Sequence, residues 1–145
     1  MVPKDAIFKV VTGFHRLVFD LSKGKLAGKG MGMPVLKLTT IGRKSGEPRS
    51  TMLTSPLLEG DNVILVASYG GDDRDPMWFS NIVSNPEVDL VMGGSNKKML
   101  ARVAEGDERT RLWEALTADH DNYAGYQRKT SRQIPVVVLE PRASV

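Results

Sequence analysis

A chain of 145 residues, 41% apolar and 26% charged, is sized for one domain with a working core and lies outside the compositions of disordered chains. It contains no cysteine and two distant histidines, His15 and His120. This excludes disulfides, iron–sulfur clusters, thiolate zinc sites and cysteine nucleophiles, argues against an all-protein metal site, and permits an intracellular home.

The net charge of +3 is uneven. Residues 1–50 hold ten Lys/Arg against three Asp/Glu, residues 51–100 hold three against seven, and the remainder balances. A basic first third beside an acidic middle suggests a local site for an acidic small molecule. A nucleic-acid surface would interleave its basic stripe with stacking aromatics. The basic part here offers only Phe8, Phe14 and Phe19, so no nucleic-acid partner is expected.

In chain order, Ile7, Val10, Val11, Phe14, Leu17, Val18 and Leu21 recur at the one-face spacing of an amphipathic helix over residues 5–22. The plain reading lays it on the domain core. The other rests it on a membrane, its lysines at the head groups, which would make a cytoplasmic protein peripheral at the inner face. Lys9 breaks the first apolar residues, so no secretory signal is expected, and no run of ~18 apolar residues could span a bilayer. Residues 1–33 thus read as this helix followed by a Gly/Lys-rich connector. Gly28, Gly30 and Gly32 are followed by Pro34 and a strand rather than a helix, against a dinucleotide fingerprint.

Residues 34–145 have a different texture. Val35–Thr40 and Thr51–Leu58 flank a basic turn as a hairpin, and Asn62–Ser68 is a β-branched strand opened by Gly60-Asp61-Asn62. Asp75-Pro76 reads as N-cap plus first helical residue, starting a short helix, Met77 to Ser84, stopped by Asn85-Pro86. Val88–Met92 and Lys98–Ala104 form a hairpin around Gly93-Gly94-Ser95-Asn96. Gly106-Asp107 opens a helix through Leu112, Ala115 and Leu116. A further helix or turn spans Asp119–Lys129, and Ile134–Leu139 is a closing strand buried on both faces. Short connections favour antiparallel pairing, which gives an α+β domain: a small barrel or strongly curled sheet with helices outside it.

Four constellations carry chemistry. The turn Gly42-Arg43-Lys44-Ser45-Gly46-Glu47-Pro48-Arg49 aims three cations, a hydroxyl and turn amides at one spot, as an anion site does. A solvated hairpin tip has similar composition. Ala67-Ser68-Tyr69-Gly70-Gly71 leaves a buried strand with two glycines that let backbone approach a flat ligand, with Ser68 or Tyr69 lining its pocket; an ordinary loop start reads the same way. Trp78 and Asn81 share a helix face, where the asparagine asks for a partner. Tyr123 and Tyr126 form a second such pair, with His120 one turn earlier, as packing or as proton donors above a pocket. No Gly-x-Ser-x-Gly elbow, phosphate-binding P-loop or paired-carboxylate signature is present. That combination suits a protein that takes its chemistry from a cofactor.

These motifs together, with Tyr123-Ala124-Gly125-Tyr126-Gln127-Arg128-Lys129-Thr130-Ser131-Arg132-Gln133-Ile134-Pro135-Val136, strongly resemble the deazaflavin-dependent nitroreductase family of actinobacteria over residues 34–140. The resemblance implies a flavin-reductase-like split β-barrel that binds coenzyme F-420, a deazaflavin with a phosphate and an oligoglutamate tail. It implies that Arg43, Lys44, Ser45 and Arg49 hold phosphate and tail, that Ala67, Ser68, Gly70 and Gly71 meet the ring, and that Trp78 and Asn81 support the pocket. Tyr123 and Tyr126 would be the substrate-side, catalytic tyrosines. The chain departs from the family at Tyr69, often Lys, at His120, where some relatives carry a third aromatic, and at Met52-Leu53, usually Pro-Leu. The expected activity is hydride transfer from reduced F-420 to a quinone-like or nitroaromatic acceptor. The alternatives are an FMN-binding split-barrel reductase, or a non-catalytic cofactor-binding or membrane-associated module. The oligomeric state is not specified.

Overall fold

The computed structural model describes residues 29–30 and 33–142. The helix expected over residues 5–22, and most of the connector after it, lie outside the described residues. Eight strands form one antiparallel sheet: β1 (Lys29–Gly30), β2 (Met33–Ile41), β3 (Pro48–Thr54), β4 (Leu57–Glu59), β5 (Asn62–Val66), β6 (Glu87–Met92), β7 (Ser95–Val103) and β8 (Val136–Pro141). Three α-helices interrupt them: α1 (Met77–Ser84), α2 (Gly106–Asp119) and α3 (Asn122–Arg128). The expected α+β split barrel is borne out. The strand order is β1-β2-β6-β7-β8-β5-β4, with β3 on a free side of β2.

That order explains the curl. Strands β3 and β4 lie at opposite ends of the main run of pairings, yet only Ser55 and Pro56 separate them in the chain. The sheet must bend until its ends nearly meet. Ser55 secures the corner: its N–H donates to the Pro34 carbonyl at 3.0 Å, and its buried hydroxyl lies 2.7 Å from the Ile64 carbonyl and 2.9 Å from that of Leu57. The expected single strand Thr51–Leu58 is therefore two, because Pro56 cannot donate to a ladder.

Alternation along the strands sorts side chains into two layers. Leu36 and Leu38 of β2, Val63 and Leu65 of β5, and Val137 and Leu139 of β8 fill the barrel with Leu90, Met99 and Ala101. Ile64, Val136 and Val138 point outward, where Leu112 and Leu116, four apart on α2, cover them with Tyr123. Both strands are thus buried on two faces, as their unbroken apolar runs predict. Leu112 and Leu116 are fully buried and contribute roughly 2 kcal/mol each. The loop between β6 and β7 shrinks to Gly93-Gly94, both at positive φ (61° and 82°), the backbone a tight two-residue hairpin requires.

Helix α1 has the expected span, Met77–Ser84, but its N-cap is not Asp75. Pro76 is the N-cap, in extended conformation, and no side chain caps the helix. Asp75 does not serve because its carboxylate is held by Arg132 at 3.0 Å. From this start Trp78 and Ile82 reach the barrel core, and Asn81 falls on the same buried face.

Candidate functional site

The row Leu36, Leu38, Thr40 on the inner face of β2 ends in a hydroxyl only 1% exposed. Asn81 meets it. Its amide Nδ2 donates to Thr40 Oγ1 at 3.1 Å, and its Oδ1 accepts the Arg43 backbone N–H at 3.1 Å and Arg43 Nη1 at 3.4 Å. The asparagine that asked for a partner thus pins the basic turn to α1. Within the turn, Gly42 N–H donates to the Glu47 carbonyl and Gly46 N–H to that of Gly42, both at 2.8 Å. Ser45 Oγ accepts the Glu47 N–H at 3.1 Å and keeps its proton to give. A methyl group on Gly42 would come within 2.5 Å of that hydroxyl, so any other residue here would push Ser45 Oγ away from the Glu47 N–H. Arg43, Lys44, Ser45 and Arg49 all face solvent, and among the described residues no ion pair engages the three cations.

The second constellation leaves β5 as a 3-10 turn, Tyr69–Gly71. Ala67 is fully buried and its N–H donates to the Pro135 carbonyl at 3.0 Å. Tyr69 adopts φ +47°, with Gly70 and Gly71 at +63° and +85°. A side chain at Tyr69 in the left-handed region costs on the order of 1 kcal/mol, so the surroundings must hold it there. The Arg74 guanidinium lies 5.5 Å from its ring centroid. Gly71 has a further reason to be glycine: a Cβ would sit 2.9 Å from the Tyr126 carbonyl oxygen and 3.1 Å from Lys129 Cβ. At this position α3, not a ligand, occupies the space.

The turn's main support was not singled out from sequence. Arg132 donates through Nη2 to the carbonyls of Ala67 (3.1 Å) and Ser68 (3.0 Å), through Nε to that of Asp72 (2.9 Å), and through Nη1 to the Asp75 carboxylate (3.0 Å). Its side chain is 16% exposed. Gln127 steadies the segment carrying it, donating to the Arg132 carbonyl at 2.7 Å and accepting the Ile134 N–H at 2.9 Å. Arg132 and its partners lie about sixty residues apart, beyond the reach of any local sequence signal.

Tyr123 and Tyr126 meet edge to face, centroids 5.9 Å apart. Tyr123 is 6% exposed and its hydroxyl donates to Met33 Sδ at 3.6 Å. Burial pushes its phenol above the ordinary value, partly offset by a hydrogen bond with Thr54. Tyr126 is half-buried, with Lys129 Nζ 5.7 Å from its ring centroid. His120 caps the end of α2 through its N–H, and its carbonyl accepts the Tyr123 N–H at 3.4 Å.

The four constellations form one connected assembly. Asn81 joins the basic turn to α1, Trp78 on the same face shares the core cluster with Ala67, and Gly71 abuts Tyr126. A cavity of about 320 Å³ lined by Arg109, Trp113, Gln127, Ser131 and Gln133 contains none of the sequence-predicted site residues. Among the described residues, no three His/Cys/Asp/Glu side chains could hold a metal, and no helix is long and apolar enough to cross a membrane.

Comparison with known proteins gives a consistent set of likenesses. The family model of F420H(2)-dependent quinone reductase matches residues 14–141. The F420H(2)-dependent quinone reductase Rv1261c of Mycobacterium tuberculosis is 36% identical over 132 residues, 88% of each chain. The solved structure of an F420-H2-dependent reductase, FDR-A, superposes with a TM-score of 0.67 at 38% identity, over 74% of this chain and 94% of that one. HutZ, a heme storage protein of Vibrio cholerae, shares the fold alone: TM-score 0.54 at 14% identity, over 86% and 89% of the two chains.

Proposed function

The chain belongs to the F420H(2)-dependent quinone reductase family, and from that premise we propose which of its residues hold coenzyme and acceptor. It is an oxidoreductase that uses coenzyme F-420 to reduce quinones. The bound reduced coenzyme supplies the hydride, which leaves binding, orientation and charge stabilisation to the protein.

The observation that carries the assignment is the uncancelled charge of the basic turn. Arg43, Lys44 and Arg49 face solvent without a carboxylate partner among the described residues, on a turn fixed to α1 by Asn81. Phosphate and oligoglutamate oxygens suit such donors, with Arg offering a fork and Lys a point charge. Ser45 adds a hydroxyl. Ser68, Tyr69 and Gly70 form the face of the platform for the ring, anchored at its ends by Ala67, which is fully buried, and by Gly71, which packs against α3, and Trp78 and Asn81 support it from behind. Of the tyrosine pair, Tyr126 is the half-buried member and hydrogen-bonds the acceptor oxygen on which negative charge develops. Tyr123 buttresses its ring from the core side and is the alternative donor. A peripheral membrane contact through residues 5–22, at the cytoplasmic face, would meet quinones dissolved in lipid. Equal vesicle sedimentation with and without residues 1–30 defeats that part.

The test is a titration of purified protein with F-420 and, separately, FMN, followed by reduced F-420 with menadione. Binding of F-420 in preference to FMN, with recovery of the oxidised absorbance on adding menadione, is expected. A folded protein that binds FMN instead, or binds F-420 without turnover, overturns the reading. A nitroaromatic compound run beside menadione measures whether the acceptor range extends that far. Tyr126→Phe, with Tyr123→Phe beside it, should lower turnover while leaving coenzyme affinity unchanged. Full turnover in both variants removes the tyrosine role.

A further inference from the structure

Two amides of the Ala67–Gly71 platform, those of Ser68 and Tyr69, are aimed by one side chain. Arg132 Nη2 holds two successive carbonyls, those of Ala67 and Ser68, and Nε holds a third, at Asp72. Among the described residues no peptide bond is cis. In a trans peptide the N–H points opposite to the C=O. Turning the Ala67 and Ser68 carbonyls toward Arg132 therefore turns the N–H groups of Ser68 and Tyr69 away from it. The guanidinium is charged, so its hydrogen bonds polarise those peptide units and strengthen the donors on their far side. The Asp75 carboxylate at 3.0 Å and the Gln127 clamp on the Arg132 backbone fix the guanidinium in this pose. The Ser68 carbonyl also accepts the Gly71 N–H at 2.9 Å, so the same anchor helps keep Tyr69 at its unfavourable φ.

We infer that Arg132 is a positioning residue for the coenzyme ring: it touches no ligand, but it sets the direction and donor strength of the Ser68 and Tyr69 amides. This rests on the reading of residues 67–71 as the ring platform. Lysine retains the charge but cannot reproduce a fork that reaches three carbonyls and a carboxylate at once. Both Arg132→Lys and Arg132→Gln should therefore weaken ring binding, glutamine more.

The experiment measures dissociation constants for intact F-420 and for the deazaflavin riboside lacking phosphate and tail. The proteins are the parent, Arg132→Lys, Arg132→Gln, the double variant Arg43→Ala/Lys44→Ala, and Ser68→Phe, which places bulk on the platform. Leu112→Ala is the control for simple destabilisation, since Leu112 is buried in the layer under α2. The Arg132 variants should lose about tenfold or more in affinity, by the same factor for both ligands. The Arg43/Lys44 variant should lose affinity for the intact coenzyme alone. Leu112→Ala should melt earlier with affinity unchanged, which is how a merely structural Arg132 would behave. If Ser68→Phe abolishes binding while both Arg132 variants keep parental affinity, the inference is overturned and the platform stands. A loss confined to the intact coenzyme overturns it too, because Arg132 would then act on the tail. If Ser68→Phe binds both ligands as the parent does, the platform reading fails and takes this inference with it. Should the glutamine variant not fold, the lysine variant alone decides, on the same criteria.

Discussion

Replacing Asn81 by alanine tests the joint between the basic turn and the rest of the fold. The amide makes three contacts: it donates to Thr40 Oγ1 and accepts from the Arg43 N–H and Nη1. Thr40 is 1% exposed and Asn81 4%, so water replaces the amide poorly there, and an unsatisfied buried hydroxyl costs about 1–3 kcal/mol. Arg43 is exposed and resolvates, adding about 0.5 kcal/mol. The sum is roughly 1.5–3.5 kcal/mol, which at this chain length lowers Tm by about 5–14 °C. Urea unfolding followed by circular dichroism reads it, as a shift of midpoint at unchanged slope. Coenzyme affinity should fall about tenfold, because the turn loses its fixed relation to α1. Asn81→Asp separates the two effects. Its carboxylate still accepts from Arg43, and Thr40 can turn its hydroxyl to donate, so stability stays within about 1 kcal/mol of the parent. Affinity should still drop, because a negative charge now sits beside the anion site. An Asn81→Ala protein that loses less than about 0.5 kcal/mol, or that binds coenzyme as tightly as the parent, refutes the reasoning.

Further outcomes follow from the same geometry. Arg43→Ala/Lys44→Ala should weaken coenzyme binding by roughly tenfold per cation and flatten its salt dependence, read by titration at low and high ionic strength; unchanged affinity dismisses the turn as the anion site. Gly71→Ala combines φ +85° with a Cβ 2.9 Å from the Tyr126 carbonyl, whereas Gly46→Ala combines φ +72° with open space. The first should cost about 2–4 kcal/mol and the second about 1 kcal/mol by urea unfolding, and equal costs would mean that α3 does not press on the platform. Tyr123 titrates above its ordinary value in the folded state. The unfolded chain therefore loses the proton first, and stability present below pH ~10 declines as pH rises past it. Tyr123→Phe should flatten that alkaline decline, and an identical decline in both proteins counts against the buried phenol as its source.

How much of this was legible beforehand follows from the range of each signal. The strands Asn62–Val66 and Val136–Leu139 announce themselves because burial on both faces demands an unbroken β-branched run. The stop at Asn85-Pro86 and the tight Gly93-Gly94 loop are local backbone constraints, readable within a few residues. The basic turn, the platform and the two i, i+3 pairs were visible as compositions, but each had a bland reading until the resemblance joined them. What stayed hidden is long-range. Asp75 looks like an N-cap until Arg132, 57 residues later, takes its carboxylate. Gly71 looks like room for a ligand until α3 fills it. Ser55-Pro56 looks like mid-strand until the sheet curls and makes it the corner. In each case the deciding partner sits on an element that local propensity does not connect.

Among the described residues, the arginines of the basic turn contrast with five others, and the contrast bears on how the proposed site would hold the coenzyme. Arg74, Arg102, Arg111, Arg132 and Arg142 each meet a carboxylate: Asp72, then Glu108 with Glu140, Glu59, Asp75, and Glu87 with Asp89. Such half-exposed pairs contribute little stability, but they cancel charge where they stand. The basic turn keeps its charge, although Glu47 lies within it. A positive field left standing where three cations share one turn would attract an acidic tail over about a Debye length, ~8 Å at physiological salt. Attraction alone does not orient a ring. Orientation needs rigid donors, and those lie on the platform that Arg132 backs. Helix α1 couples the two, because Trp78 packs with Ala67 while Asn81, one turn on, grips Arg43. On the proposed assignment, a ligand captured by its tail would be presented to the platform at a fixed offset, so part of the orientational entropy of docking the ring would be met when the tail binds.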